Sequence, residues 1–233
     1  MKRYFSLILF SITLNTTLFA QRIECIAAVN YNHFYTKIGS NTDPNTTEDY
    51  KNGYGYTFSI GIDDIKIDDL PLKFTLKYDH YTGGVSYNSS SMGGGNAYNI
   101  HTQKDMLGLG IYPLNATFFH KLKLSIGTEF NFLIHSQQSG NQSSWYYTPN
   151  GPNPSTSSSS TIDNNSKKVN QIFNFGINTS LRYEFPLSDS WLVAPQAMLY
   201  LSMTNEFNSS FNNTKSIRPY LGLAFIKNLK GSN

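Results

Sequence analysis

The chain has 233 residues and one cysteine; its formal net charge is +3, and it is 15% aromatic but only 14% charged. Ordinary soluble domains carry about 25% charged residues, so something other than a charged surface must face the surroundings. The small, scattered positive charge argues against nucleic acid as a partner, the lone Cys25 excludes an internal disulfide framework, and no later stretch has the ~18 uninterrupted apolar residues of a membrane helix.

The first twenty residues, MKRYFSLILFSITLNTTLFA, place Lys2 and Arg3 before an apolar core at Phe5 to Leu14 and end on the small Ala20. That layout is a cleaved secretory signal, which leaves 21–233 as one exported domain. Cys25 follows Arg22, Ile23 and Glu24 rather than the small apolar run of a lipidation signal.

From there the hydrophobic period is two, the signature of strands. Ile23, Cys25, Ala27, Val29 and Tyr31 oppose Glu24, Ala28, Asn30 and Asn32, with Ile26 breaking the polar set. GYGYTFSIGI sets Tyr54, Tyr56, Phe58, Ile60 and Ile62 against Gly53, Gly55, Thr57, Ser59 and Gly61. In LPLKFTLKYD, Leu72, Phe74, Leu76 and Tyr78 oppose Lys73, Thr75, Lys77 and Asp79; in MLGLGIY, Leu107, Leu109 and Ile111 oppose Gly108, Gly110 and Tyr112. The clearest case is LKLSIGTEFNFLI, where Leu122 to Ile134 at even positions oppose Lys123, Ser125, Gly127, Glu129 and Asn131. IFNFGINTSLRYEF opposes Phe173, Phe175, Ile177, Leu181, Tyr183 and Phe185 to Asn174, Gly176, Asn178, Ser180, Arg182 and Glu184. WLVAPQAMLYLSM is less regular and holds Pro195, a liability in a paired strand. RPYLGLAF closes the series, making eight strands predicted.

Long polar connections (35–52, 80–103, 136–168, 204–216) alternate with short ones (63–69, 113–120, 186–190). The third, with SSWYYTPNGPNPSTSSSSTIDNN, is too polar to fold alone. The polar faces are rich in glycine, which is a poor choice for a wet strand surface but fits a narrow lumen. The apolar faces are bulky and aromatic. The expected arrangement is therefore an all-β, eight-stranded antiparallel up-and-down barrel, apolar side to lipid and polar side inward, since only a closed barrel leaves no unpaired strand edge in the hydrocarbon.

This layout of signal, eight dyad-repeat strands, short turns and long loops resembles the small outer-membrane barrels of Gram-negative bacteria, of the OmpA and OmpX type, across residues 21–233. The resemblance implies a monomer in outer-membrane lipid, inserted by the barrel assembly machinery, with turns and termini periplasmic and long loops at the cell surface, where they meet an extracellular ligand or host surface. Such barrels commonly end on an aromatic residue; here Phe225 is followed by IKNLKGSN, so Phe225 and Leu229 are the candidates for that signal.

The inward charges are Lys73, Lys77, Asp79, Lys123, Glu129, Arg182, Glu184 and Arg218, a mixed set expected to pair and fill the lumen. The strand register points His33, His80 and His101 outward and His135 inward, and leaves His120 in a turn; no metal or nucleophile pattern accompanies them, so no catalysis, metal or cofactor is expected. Trp145, Tyr146 and Tyr147 form either a contact patch or a hairpin burying its own rings. The competing reading of the whole is a soluble secreted barrel with an apolar lumen for a small hydrophobic ligand, as in lipocalins, and behind it a lipid-modifying barrel enzyme.

Overall fold

In the computed structural model, the described residues are 22–36, 46–67, 70–91, 93–119, 121–146, 156–164, 170–207 and 214–229. The expected signal segment 1–20, His120, Tyr147 and parts of the long connections lie outside them. The elements are β1 (Arg22–Thr36), β2 (Thr46–Lys51), β3 (Gly53–Ile67), β4 (Leu70–Ser91), β5 (Gly94–Phe118), β6 (Leu122–Tyr146), β7 (Thr156–Asn164), β8 (Phe173–Tyr183), β9 (Phe185–Pro186), β10 (Trp191–Ser202) and β11 (Thr214–Asn228).

Eight of these close an antiparallel ring in the order β1, β3, β4, β5, β6, β8, β10, β11, with β11 paired back to β1 from Cys25↔Phe225 through Val29↔Leu221. Each of the eight strands expected from the hydrophobic period forms one stave of this ring. Closure removes the unpaired edges that an open sheet would leave. Polar side chains alternate into the interior and apolar ones outward, so Glu24, Thr57, Lys73, Asp79, Glu129, Asn178 and Arg182 are buried while Val29, Phe58, Ile60, Leu109, Leu181 and Leu223 are exposed.

Pro195 is accommodated by a gap in the ladder. β10 pairs with β9 at Leu192↔Pro186 and Val193↔Phe185 and with β8 from Gln196↔Arg182; positions 194 and 195 face the break between β8 and β9. A residue without an N–H is tolerated where no ladder bond on that side is made.

The structure departs from the expected loops at one end of the barrel. β4 and β5 run on to Ser91 and Gly94 in unbroken register, so the segment 80–103 is a hairpin of paired strand rather than a loop. β6 extends to Tyr146, with β7 along its far side and β2 along the far side of β4. Backbone pairing needs no apolar residue, and these extensions are polar on their outward face, which hides them from a search for hydrophobic alternation.

Of three register shifts in the ladders, two bear on the sequence expectations. Between Asp105↔His135 and Met106↔Leu133, Ile134 is an extra residue; Leu133 is buried while Ile134 and His135 are both on the outside. The expectation that His135 points inward is therefore corrected, because a bulge reverses the parity of everything beyond it. In β3 the shift between Ile62 and Ile65 spans Asp63 and Asp64, with Asp64 at φ +56°, a left-handed conformation that Asp tolerates better than most residues. This pair, read from sequence as part of a turn, sits inside the strand and directs both carboxylates at one lysine.

Candidate functional site: the filled lumen

The lumen is built in tiers. At the short-turn end, β6 contributes Lys123, whose Nζ donates to Asp63 Oδ2 at 2.8 Å and Asp64 Oδ1 at 2.6 Å. Arg182 of β8 donates to Asp63 Oδ2 at 2.6 Å and Glu184 Oε1 at 3.0 Å, and also to Glu24. Lys73 of β4 reaches Glu24 at 2.5 Å, and Arg22 Nη1 donates to both oxygens of Glu184 at 3.0 and 2.9 Å. Four cations therefore meet four carboxylates here, and Asn115 Nδ2 adds a bond to Asp63 Oδ1 at 2.6 Å.

The middle tier is organised on Lys77, paired with Glu129 and lying 3.6 Å from Asp79. Asp79 accepts from Thr57, Asn30 and Tyr220 at 2.5, 2.8 and 2.8 Å, and Glu129 accepts from Asn131 and Asn178 at 2.9 and 2.6 Å. Buried carboxylates are stable when paired and hydrogen-bonded, and both are.

Above this, Lys104 donates to Glu206 Oε2 at 3.1 Å and to its carbonyl at 2.8 Å. Glu206 also accepts from Tyr81, Asn174 and Ser216 at 2.9, 3.0 and 2.5 Å. Arg218 is fully buried, stacked 4.2 Å from the Tyr81 ring and 4.5 Å from Tyr200, with Asp79 at 3.9 Å as its nearest carboxylate. A guanidinium held between two aromatic faces is stabilised by cation–π attraction rather than by a bidentate ion pair. An apolar cluster of Phe34, Val85, Ile100, Leu133 and Phe207 lies beyond this tier. The wall formed by β1, β10 and β11 is itself apolar, through Ile26, Ala194, Met198, Ala224 and Ile226.

All eight charges singled out in sequence line this interior. Their partners Glu24, Asp63, Asp64, Lys104 and Glu206 were not among them. Lys104 keeps the inward parity of Gly108 and Gly110 and was recoverable by extending the strand backwards. Glu206 lies outside the ring strands and carries no periodic signal.

The chemistry of this interior is ion pairing and hydrogen bonding between buried groups. Among the described residues no group of three metal-ligating side chains occurs, and each lumen carboxylate lies within ion-pair distance of a cation. The four described histidines point outward: His80 is stacked on Tyr56 at 4.9 Å and contacts Asp105 at 2.6 Å, and His33 contacts Asn52 at 2.7 Å. Trp145 and Tyr146 occupy successive strand positions and so face opposite sides of the sheet. The Trp145 ring lies over Gly95 of β5, where a Cβ would collide with it.

The outer wall is the other half of the site. An apolar band from Tyr54 (72% exposed) and Val29 (64%) through Ile111, Ile177 and Phe225 encircles the ring. Aromatic pairs edge it: Tyr31 and Tyr54 at 5.1 Å toward the long connections, Tyr183 and Phe185 at 4.8 Å toward the short turns.

No protein-family model and no curated protein matches the chain. Among solved structures it is similar to Neisserial surface protein A (12% identity, TM-score 0.43, covering 89% of this chain and 97% of that one) and to OprG of Pseudomonas aeruginosa (11%, 0.40, 89% and 96%). A third is the attachment invasion locus protein Ail of Yersinia pestis (8%, 0.36, 89% and 99%). The first is a surface protein and the second an outer membrane protein by name.

Proposed function

We propose that this chain is an integral outer-membrane barrel with a structural or surface-interaction role, a side-chain-filled lumen, no large open pore and no catalytic function. The observation that carries the reading is the inversion of polarity: ion pairs and amides inside, a continuous apolar band with aromatic edges outside. Water cannot be the solvent of that band, since an exposed apolar area of this size drives association. The tilted ring strands are long enough to span a hydrocarbon layer. A soluble lipocalin-like barrel needs the opposite arrangement, an apolar cavity behind a polar wall. A lipid-modifying enzyme needs a nucleophile hydrogen-bonded to its base, whereas His33 and His80 are bonded to Asn52 and Asp105. In this reading the short turns are periplasmic, the β2–β4–β5–β6–β7 extension stands outside the cell, and surface contacts belong to that extension.

Two measurements test it. The protein should leave membranes only with detergent and migrate as a heat-modifiable band. Purified and reconstituted in planar bilayers, it should show no stable, large porin-like conductance, because an eight-stranded barrel has an interior just wide enough for side chains. A large steady channel would overturn the closed-lumen role.

A further inference from the structure

The outward face that carries the apolar band does not end with it. Along β4 the outward positions Leu76, Tyr78 and His80 continue as Ser86 and Asn88, with the β4–β5 register unbroken. Pairing aligns Asp49, Ser86, Asn99 and Asn141 in one row across four strands, and Thr47, Asn88, Ala97 and Ser143 in the next. The small Ala97 leaves a hollow of about 380 Å³ among these side chains.

Its chemistry is selective. Three carboxamides, three aliphatic hydroxyls and one carboxylate line it together with Ala97, Tyr87 and Tyr98, and the neighbouring Lys51 ammonium is engaged by Asn99 Oδ1 at 3.1 Å. The Lys51 ammonium is thus already engaged and is not left free for a strongly anionic ligand. Side-chain amides present a donor and an acceptor in one plane, a carboxylate accepts two bonds, and a hydroxyl does both. That set matches vicinal hydroxyls of a neutral sugar. Position then selects the source: four strand residues separate Ser86 from Thr82, which is level with Tyr54 at the aromatic edge, and at about 3.3 Å per residue and ~40° tilt that is roughly 10 Å beyond the edge. The hollow opens sideways, on the same face that meets lipid below, toward the headgroups of neighbouring lipids.

We infer that this outward face of the extension is a binding surface for the sugar residues of glycolipid in the surrounding outer leaflet. The inference rests on the membrane reading above and adds a ligand class and a location to it.

The test uses the mature chain inserted in lipid nanodiscs containing either lipopolysaccharide with a complete core oligosaccharide or lipid A alone, with retained glycolipid counted by native mass spectrometry and its exchange followed by fluorescence. Core-bearing glycolipid should be held at least tenfold longer than lipid A. Ala97→Trp, which fills the hollow, and Asn141→Ala, which removes one amide, should each abolish most of that difference while thermal unfolding stays unchanged. Equal retention of the two glycolipids, variants without effect, or equally tight binding of free core oligosaccharide would overturn it. Failure to insert would sink the membrane reading and this inference together; insertion without core preference sinks this inference alone.

Discussion

Asp63 bridges Lys123 and Arg182 in the lumen, and its neutralisation tests whether the interior is dry. In Asp63→Asn the side chain keeps its shape, but Lys123 at 2.8 Å and Arg182 at 2.6 Å lose a shared counter-charge in a site that is 0% exposed. Removing one partner of a buried pair costs about 3 to 5 kcal/mol. Here Lys123 retains Asp64 at 2.6 Å, and Arg182 retains Glu24 and Glu184, so the loss should fall near the lower limit, about 3 kcal/mol. Urea titration of the barrel in detergent micelles or vesicles, followed by the fluorescence of Trp145 and Trp191 and by the heat-modifiable band, measures it. Adding Lys123→Met removes a cation left with one of its two counter-charges, while Asp64 keeps Arg22 at 3.3 Å, and should restore at least half of the loss, a coupling that only contacting groups show. Asp189→Asn, in an exposed turn, should stay within about 0.5 kcal/mol. A loss below about 1 kcal/mol for Asp63→Asn, with no coupling to Lys123, would mean that water enters the lumen and screens these pairs.

The two faces of β6 should obey opposite rules. Ile126→Arg, on the outward face, should destabilise the inserted barrel by about 2 to 4 kcal/mol, the scale for a charge at the bilayer midplane, in equilibrium unfolding from lipid. Gly127→Leu, one residue on, should cost at least the ~1 to 3 kcal/mol of overpacking, because a Cβ there falls on the Ile111 carbonyl oxygen and the Tyr112 Cα, neither of which can swing aside. In intact cells, protease should cut within 136–168 and spare 63–69; the reverse pattern would invert the orientation.

Most of the ring was legible because a strand between two unlike environments repeats every two residues. Leu122 to Phe132 shows this without interruption. The glycine-rich parity at 108, 110 and 127 even distinguished lumen from outside, since small residues fit a narrow interior. Legibility failed where that rule is suspended. The bulge at Ile134 flips parity without any Gly or Pro to announce it, so His135 was assigned to the wrong face. Asp63 and Asp64 look like turn residues, and only the left-handed Asp64 inside β3 makes them a paired ligand for Lys123. The partner Glu206 lies outside the ring strands and carries no periodic signal. The charges could be listed from parity, but their pairing depends on the cross-barrel geometry that closure creates.

The central claim is that the even face of β6 meets hydrocarbon. Nitroxide labels placed singly at Leu124, Ile126, Thr128, Phe130 and Phe132, in a Cys25→Ser background, report this through collisions with oxygen and with a water-soluble nickel chelate. In lipid vesicles all five positions should favour oxygen, with the ratio highest near the middle of the series and falling toward both ends. Preferential collision with the nickel chelate at these positions would place the face in water and contradict the account.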